Sequence, residues 1–196
     1  GLDAAAAVPL AAQTALQALR DDAGVKPGQR VLINGASGGV GVFAGQIAKI
    51  LGAHTTAVCS HRNVELVREL GADAVVDYTK TGLVNLEERF DLIFDVFGNY
   101  HFAKVSHLLT PRGTYVHTIP SAQVIKDVAR TFVRKQRAKL VVVRSRRSDL
   151  DWLRQHIDSG RLRVVVDRSF PLADAADAHR YMETKRARGK VVLNVD

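Results

Sequence analysis

The chain has 196 residues, of which 46% are hydrophobic and 24% charged, and it carries a formal net charge of +8. These values predict one water-soluble globular domain, and the longest apolar runs, such as 141–143 and 164–166, are far too short to span a bilayer. The single cysteine, Cys59, excludes an internal disulfide and any zinc site that needs two thiolates from this chain.

Strand and helix periodicities alternate along the whole chain. An opening helix is predicted within residues 1–24, where apolar residues recur at helical spacing from Val8 to Leu19. Short apolar runs predict six strands, at 31–33, 55–59, 74–76, 92–96, 113–118 and 140–143. Helical spacing predicts intervening helices at 40–51, 64–70, 99–109 and 125–136. The C-terminal part is predicted to add a helix at 149–159, a strand at 164–166, a helix at 172–185 and a strand at 190–195.

Alternating strands and helices require crossover connections. They predict a Rossmann-type, doubly wound α/β domain with a mostly parallel six-stranded sheet and helices on both faces. Residues 80–89 show no clear period, so loop and short helix both stay open there.

A glycine-rich turn joins the first strand to the next helix, with the sequence V-L-I-N-G-A-S-G-G-V-G over residues 31–41. This is the context of the G-x-G-x-x-G dinucleotide fingerprint, with Ala36, Gly38 and Gly41 at its three positions. Gly38 would let a pyrophosphate approach the backbone, and Gly41 would let the helix pack closely on the strand. The helix amino end would add free N–H groups. We therefore predict a dinucleotide site, with a turn that serves packing only as the alternative.

The end of the second strand indicates which dinucleotide binds. NAD sites carry an acidic residue there for the ribose 2′-hydroxyl, whereas residues 58–63 of this chain are V-C-S-H-R-N. Ser60 can donate to a 2′-phosphate and Arg62 can pair with it, and His61 is a further candidate. The sequence thus favours NADP(H) over NAD(H). The alternative for Arg62 is an ordinary surface arginine.

Several segments together resemble the medium-chain dehydrogenase/reductase superfamily, and most closely its zinc-independent quinone oxidoreductase branch. They are the turn at 34–41, Q-I-A-K at 46–49, L-G-A-D-A-V-V-D-Y at 70–78, P-L-A-A-Q-T-A at 9–15 and G-K-V-V at 189–192. The similarity covers essentially all of residues 1–196, which we interpret as one NADP(H)-binding domain. The resemblance implies that a GroES-like barrel accompanies this domain in the complete enzyme, and that residues 163–196 return toward it.

The resemblance also implies which residues contact the cofactor. The turn would hold the pyrophosphate, and Ser60 and Arg62 would hold the 2′-phosphate. Tyr78 would lie near the adenosine. Thr14 and the loops after the fourth and fifth strands would line the nicotinamide side. The implied set is Thr14, Gly35, Ala36, Ser37, Gly38, Gly39, Val40, Gly41, Ser60, His61, Arg62, Tyr78, Phe97, Gly98, Thr118 and Ile119. Structural alternatives are a strand cap for Tyr78, a bond within its own helix for Thr14 and a core position for Phe97.

No catalytic or metal-binding residue is predicted. The seven histidines show no metal-ligand spacing. Asp91, just before the predicted fourth strand, and Asp95 within it are four residues apart, so in extended backbone they face the same side, and we expect them to be structural. The implied activity is hydride transfer from NADPH to a quinone or an α,β-unsaturated carbonyl, with the domain inactive without its barrel. The alternatives are an enoyl-reductase domain of a polyketide or fatty-acid synthase and a non-catalytic NADPH-binding module.

The positive charge is concentrated between residues 130 and 147. Without a nucleic-acid motif, this pattern favours a solvated helix and loop over a nucleic-acid surface. By analogy with the family, residues 141–143 are a candidate strand for homodimerisation. The first residues lack the features of a signal peptide. We therefore expect a cytoplasmic protein with NADPH and a small-molecule substrate, but no membrane, as partners.

Overall fold

A computed structural model describes residues 1–195 of the chain. At its centre is a six-stranded sheet with the strand order β3-β2-β1-β4-β5-β6, and every neighbouring pair in it is parallel. The strands are β1 Arg30–Asn34, β2 His54–Cys59, β3 Ala74–Asp77, β4 Phe90–Asp95, β5 Leu109–His117 and β6 Arg137–Leu140. This topology confirms the predicted doubly wound α/β fold.

Eight α-helices and two further strands complete the described part of the chain. The helices are α1 Leu2–Ala7, α2 Pro9–Leu16, α3 Gly41–Ile50, α4 Val64–Glu69, α5 Phe102–Val105, α6 Ala122–Thr131, α7 Arg147–Asp158 and α8 Ala175–Glu183. The predicted entry helix within residues 1–24 is thus α1, α2 and a π-helical turn at Gln17–Asp22. Strands β7 Val166–Pro171 and β8 Lys190–Asn194 pair in parallel as a separate two-stranded sheet.

Both faces of the central sheet are covered, which explains the apolar runs V-L-I in β1 and L-I-F in β4. On one face, Ile33 and Phe94 pack in a core with Phe43 of α3 and Leu153 of α7. On the other face, alternate strand residues pack in a second core, whose members include Leu32, Ile93, Tyr115, Phe102 and Val105. The two cores place the helices on both sides of the sheet, as predicted.

The predicted position of the sixth strand is wrong by three residues. The strand begins at Arg137 rather than at residue 140, and it pairs with β5 from Thr114↔Arg137 to His117↔Leu140. The Thr131 hydroxyl fixes this register, because it accepts a hydrogen bond of 2.8 Å from the Ala138 N–H. The Val141 N–H still donates to the His117 carbonyl of β5 at 3.0 Å, but residues 141–143 are not part of the strand and Val142 is 70% exposed. Residues 141–143 are therefore not an edge strand that could pair with a second copy. Homodimerisation remains a prediction, but this segment does not support it.

The C-terminal part returns to the glycine turn. The Gly189 N–H donates to the Ser37 carbonyl at 2.9 Å. The Gln46 side chain bonds both the N–H and the carbonyl of Arg163, at 2.7 and 2.9 Å. Residues more than 100 positions apart are thus joined beside the turn. No helix within residues 1–195 is both long and apolar enough to cross a bilayer.

Candidate functional site

A cavity of about 310 Å³ opens at the carboxyl ends of β1, β2 and β4. From β1 the chain proceeds to β2 and β3 on one side, and then crosses to β4 on the other. Open α/β sheets bind ligands in the crevice at such a reversal of strand order. Seven of the predicted cofactor residues line this cavity: Gly35, Ser37, Gly38, Ser60, Arg62, Tyr78 and Phe97.

The glycine turn leaves room for a ligand where side chains would intrude. Gly35 has φ +84°, and a Cβ there would lie 3.1 Å from the Cβ of Phe97. A Cβ at Gly41 would lie 2.7 Å from the Cα of Ala36, so α3 rests directly on the turn. Gly38 lines the cavity, and a Cβ there would meet only the Gly35 carbonyl oxygen, at 3.4 Å.

Unbonded backbone donors accompany this space. The N–H groups of Ser37, Gly39 and Val40 donate to no acceptor within residues 1–195, and the amino end of a helix favours an anion. The cradle of glycines and free N–H groups therefore fits a pyrophosphate. Ala36 lies beneath the cradle, because it is buried and its N–H donates to the Val58 carbonyl at 3.1 Å.

The segment after β2 supplies the polar wall of the cavity. Ser60 is buried, whereas the exposed Arg62 side chain has no hydrogen bond or ion pair among the described residues. His61 lies outside the cavity, with its Nδ1 at 3.2 Å from an Asp77 carboxylate oxygen. The pKa of Asp77 is lowered, mainly by a hydrogen bond from the Thr79 hydroxyl. This carboxylate is therefore directed at Thr79 and His61.

A polar network fixes the loop between β4 and α5. Asp95 is 1% exposed and accepts four hydrogen bonds. The donors are the Asn34 amide at 2.7 Å, the Gly98 N–H at 2.8 Å, the Tyr115 hydroxyl at 2.9 Å and the Tyr100 N–H at 3.2 Å. Burial and the neighbouring Asp95 raise the pKa of the Tyr115 phenol, so it stays a donor. Asp95 thus holds the loop that carries Phe97 into the cavity wall, in agreement with its predicted structural role.

Of the residues predicted near the nicotinamide, Phe97 lines this cavity, whereas Thr14, Gly98, Thr118 and Ile119 lie outside its lining. The Thr14 hydroxyl donates to the Leu10 carbonyl at 2.8 Å, within its own helix. The Thr118 hydroxyl donates to the Val96 carbonyl at 3.0 Å, so the loops after β4 and β5 are bonded together. A Cβ at Gly98 would lie 2.6 Å from the Ile119 side chain, so these two residues are in contact. Phe97 is 49% exposed and is not a core residue.

Five polar residues that the sequence analysis did not identify also line the cavity: Asn34, Asn63, Asn99, Tyr100 and Lys185. Lys185 belongs to the C-terminal part, and its Nζ lies 5.8 Å from the centre of the Phe97 ring. Cys59 lines the cavity as well, and burial raises the pKa of its thiol to about 11, so it is an inert wall. No group of three or more His, Cys, Asp or Glu side chains that could hold a metal ion occurs within residues 1–195.

A family model described as zinc-binding dehydrogenase matches residues 70–193. The chain is 37% identical to the mitochondrial NAD(P)H oxidoreductase RTN4IP1 of Danio rerio, over 98% of this chain and 57% of that protein. It is 34% identical to the trans-enoyl reductase pgmF of Aspergillus terreus, over 94% of this chain and 55% of that protein.

A solved structure shares the fold closely. The quinone oxidoreductase from Coxiella burnetii superposes with a TM-score of 0.89 and 30% sequence identity, over 98% of this chain and 60% of that one. The chain therefore spans between 55% and 60% of the length of these three proteins.

Proposed function

This chain is the cofactor-binding domain of a member of the medium-chain dehydrogenase/reductase superfamily, in its zinc-independent, quinone oxidoreductase-like branch, and from this premise we propose that it binds NADP(H). One observation carries the proposal. The cavity is lined by two cations, Arg62 and Lys185, and no Asp or Glu of the described residues lines it. A carboxylate there would repel a 2′-phosphate, whereas the free guanidinium of Arg62 attracts one.

Each group of residues binds a different part of the cofactor. The turn from Gly35 to Gly41 holds the pyrophosphate on its glycine surface and free N–H groups. Ser60 and Arg62 hold the 2′-phosphate, with His61 as a further contact, and Tyr78 covers the adenosine. The nicotinamide lies toward Thr14 and the bonded loops that carry Phe97, Gly98, Thr118 and Ile119. When bound, NADPH supplies a hydride. The protein orients the cofactor and excludes water from the site.

We propose that the complete enzyme reduces a quinone or an α,β-unsaturated carbonyl compound. The likeness to the Coxiella burnetii quinone oxidoreductase supports this substrate class. The likeness to the Aspergillus terreus trans-enoyl reductase favours a second candidate, reduction of an enoyl group on a synthase. In both cases the domain binds NADPH but needs the remainder of the enzyme for turnover.

The two candidates differ in the substrate that the complete enzyme accepts. We expect a steady-state assay of NADPH oxidation to give higher kcat/KM with a benzoquinone or an enone than with an enoyl thioester of similar size. The reverse preference would replace the first candidate by the second. Binding of NADPH without turnover of any of the three would indicate a non-catalytic module.

Arg62→Ala is expected to weaken NADPH binding by about tenfold to a hundredfold and to leave NADH binding unchanged, because a hydrogen bond between charged groups contributes about 1.5–3 kcal/mol. Isothermal titration calorimetry with both cofactors measures this. We expect the unmodified chain to bind NADPH at least about tenfold more tightly than NADH, by the same reasoning.

Arg68→Ala is the matched control for Arg62→Ala. Arg68 lies on α4, outside the cavity, and pairs with Glu65 at 3.0 Å, so its removal should change neither affinity. If Arg62→Ala weakens NADPH and NADH equally, or if NADH binds more tightly to the unmodified chain, the assignment of NADP(H) is wrong.

A further inference from the structure

The side chain of Asn63 makes one hydrogen bond and leaves another unmade. Asn63 lies at the end of a short 3₁₀ turn after β2, lines the cavity, and is 7% exposed. Its amide Nδ2 donates to the hydroxyl oxygen of Ser37 at 2.8 Å. Its Oδ1 is buried and has no partner among the described residues. A buried acceptor without a donor destabilises a fold, so the contribution of this side chain to stability is incomplete without a ligand.

The direction of this hydrogen bond determines what Ser37 can do. A hydroxyl has one proton and two lone pairs. Since Asn63 donates to the Ser37 oxygen, one lone pair is occupied and the proton of Ser37 is directed elsewhere. That proton reaches no acceptor within residues 1–195, and the Ser37 N–H is free as well. Ser37 therefore lines the cavity with two donors, its hydroxyl and its N–H, that have no acceptor among residues 1–195.

The glycine turn holds Ser37 in this position. The Ser37 carbonyl accepts the Gly189 N–H at 2.9 Å, and Gly38, the next residue, also lines the cavity. In the proposed function, the pyrophosphate of the cofactor lies at this wall of the cavity, and its oxygens can accept hydrogen bonds from Ser37. Both NADPH and NADH contain this pyrophosphate.

We propose that Asn63 is a positioning residue, which holds the Ser37 hydroxyl so that its proton points at the pyrophosphate of the bound cofactor. This role rests on the proposed function and adds a residue to it. Asn63 acts through Ser37 and not on the 2′-phosphate, so it raises the affinity for NADPH and for NADH by the same factor. Arg62, one residue earlier, acts on NADPH alone.

A double-mutant cycle tests the proposal. Calorimetric titrations with NADPH and with NADH are made on the unmodified chain, Ser37→Ala, Asn63→Ala and the double variant. We expect Ser37→Ala to weaken both cofactors about tenfold, as the loss of a charge-assisted hydrogen bond does, and Asn63→Ala to weaken both about threefold to tenfold. In the Ser37→Ala background, Asn63→Ala should change either affinity less than about twofold, because the hydroxyl that it positions is absent.

The outcomes separate this proposal from the assignment of the cofactor. If Asn63→Ala weakens binding equally with and without the Ser37 hydroxyl, or weakens NADPH only, the positioning role is wrong while the cofactor assignment stands. If the unmodified chain binds neither cofactor, both fall. Thermal unfolding of Asn63→Ala is the folding control. We expect its midpoint to stay within a few degrees of the unmodified chain, because one hydrogen bond is lost and one unpaired buried acceptor is removed.

Discussion

Gly41→Ala is expected to lower the free energy of unfolding by about 3 kcal/mol. Overpacking a buried site typically costs about 1–3 kcal/mol, and the cost is greatest where the new atom meets backbone that cannot move aside. The new Cβ would lie 2.7 Å from both the Cα and the carbonyl carbon of Ala36, and closer still to the Gly35 carbonyl oxygen. These are backbone atoms, so α3 must move off the turn. The displacement would also spoil the pyrophosphate cradle. Urea unfolding followed by circular dichroism measures the stability, and NADPH titration measures the site.

Gly45→Ala is the matched control, because it lies on the same helix. A Cβ at Gly45 would meet nothing within 4 Å. Alanine is the better helix former, so we expect this variant to gain about 0.5–1 kcal/mol in stability. Two variants of equal stability would contradict the close packing of α3 on the turn.

Asp95→Ala is expected to destabilise the fold by about 3 kcal/mol or more, since each buried donor left without an acceptor costs about 1–3 kcal/mol. The variant would leave the N–H groups of Gly98 and Tyr100 without an acceptor. The Asn34 amide and the Tyr115 hydroxyl would lose one of their two acceptors each. The loop with Phe97 would then be held less firmly against the cavity. We therefore expect weaker NADPH binding in addition to a lower urea midpoint.

Asp91→Ala provides the comparison for Asp95→Ala. Asp91 is on the same strand and accepts only from the Arg30 N–H at 2.9 Å and the Thr110 hydroxyl at 3.1 Å, near the surface. Water can replace it there, so we expect a loss of about 1 kcal/mol and an unchanged cofactor affinity. If Asp95→Ala lowers the free energy of unfolding no more than Asp91→Ala does, the hydrogen bonds of Asp95 do not hold the loop between β4 and α5 as their geometry indicates.

The segment from β1 to α3 could be predicted almost completely from its residues. A short apolar run, a set of glycines at fixed spacing and a helical period follow one another there, and each constrains only its own neighbours. Ser60 and Arg62 could also be identified from local sequence. They follow directly after the second strand, which a Rossmann-type sheet places beside β1. Local sequence thus identified Gly35, Ser37, Gly38, Ser60 and Arg62, the five residues predicted at the phosphates that line one cavity.

The residues that sequence reasoning missed are joined by contacts between distant parts of the chain. Asn34 was visible as a polar residue at a strand end, but its bond to Asp95, 61 positions away, depends on the order of the strands. Lys185 has no local signal at all, since only the return of the C-terminal part brings it to the cavity. The same holds for the partners Asn63 and Ser37, 26 positions apart.

The sixth strand illustrates the same limit in the fold. An apolar run at 141–143 favours a strand, yet pairing with β5 and the Thr131 hydroxyl selects Arg137–Leu140 instead. By itself, the sequence determined the fold class, the glycine turn and the candidate phosphate contacts, because hydrophobic period and glycine geometry act over a few residues. Only the tertiary structure decided the register of the edge strand, the network around Asp95 and the hydrogen bond between Asn63 and Ser37. Each of these is set by hydrogen bonds between segments that come together only when the sheet is assembled.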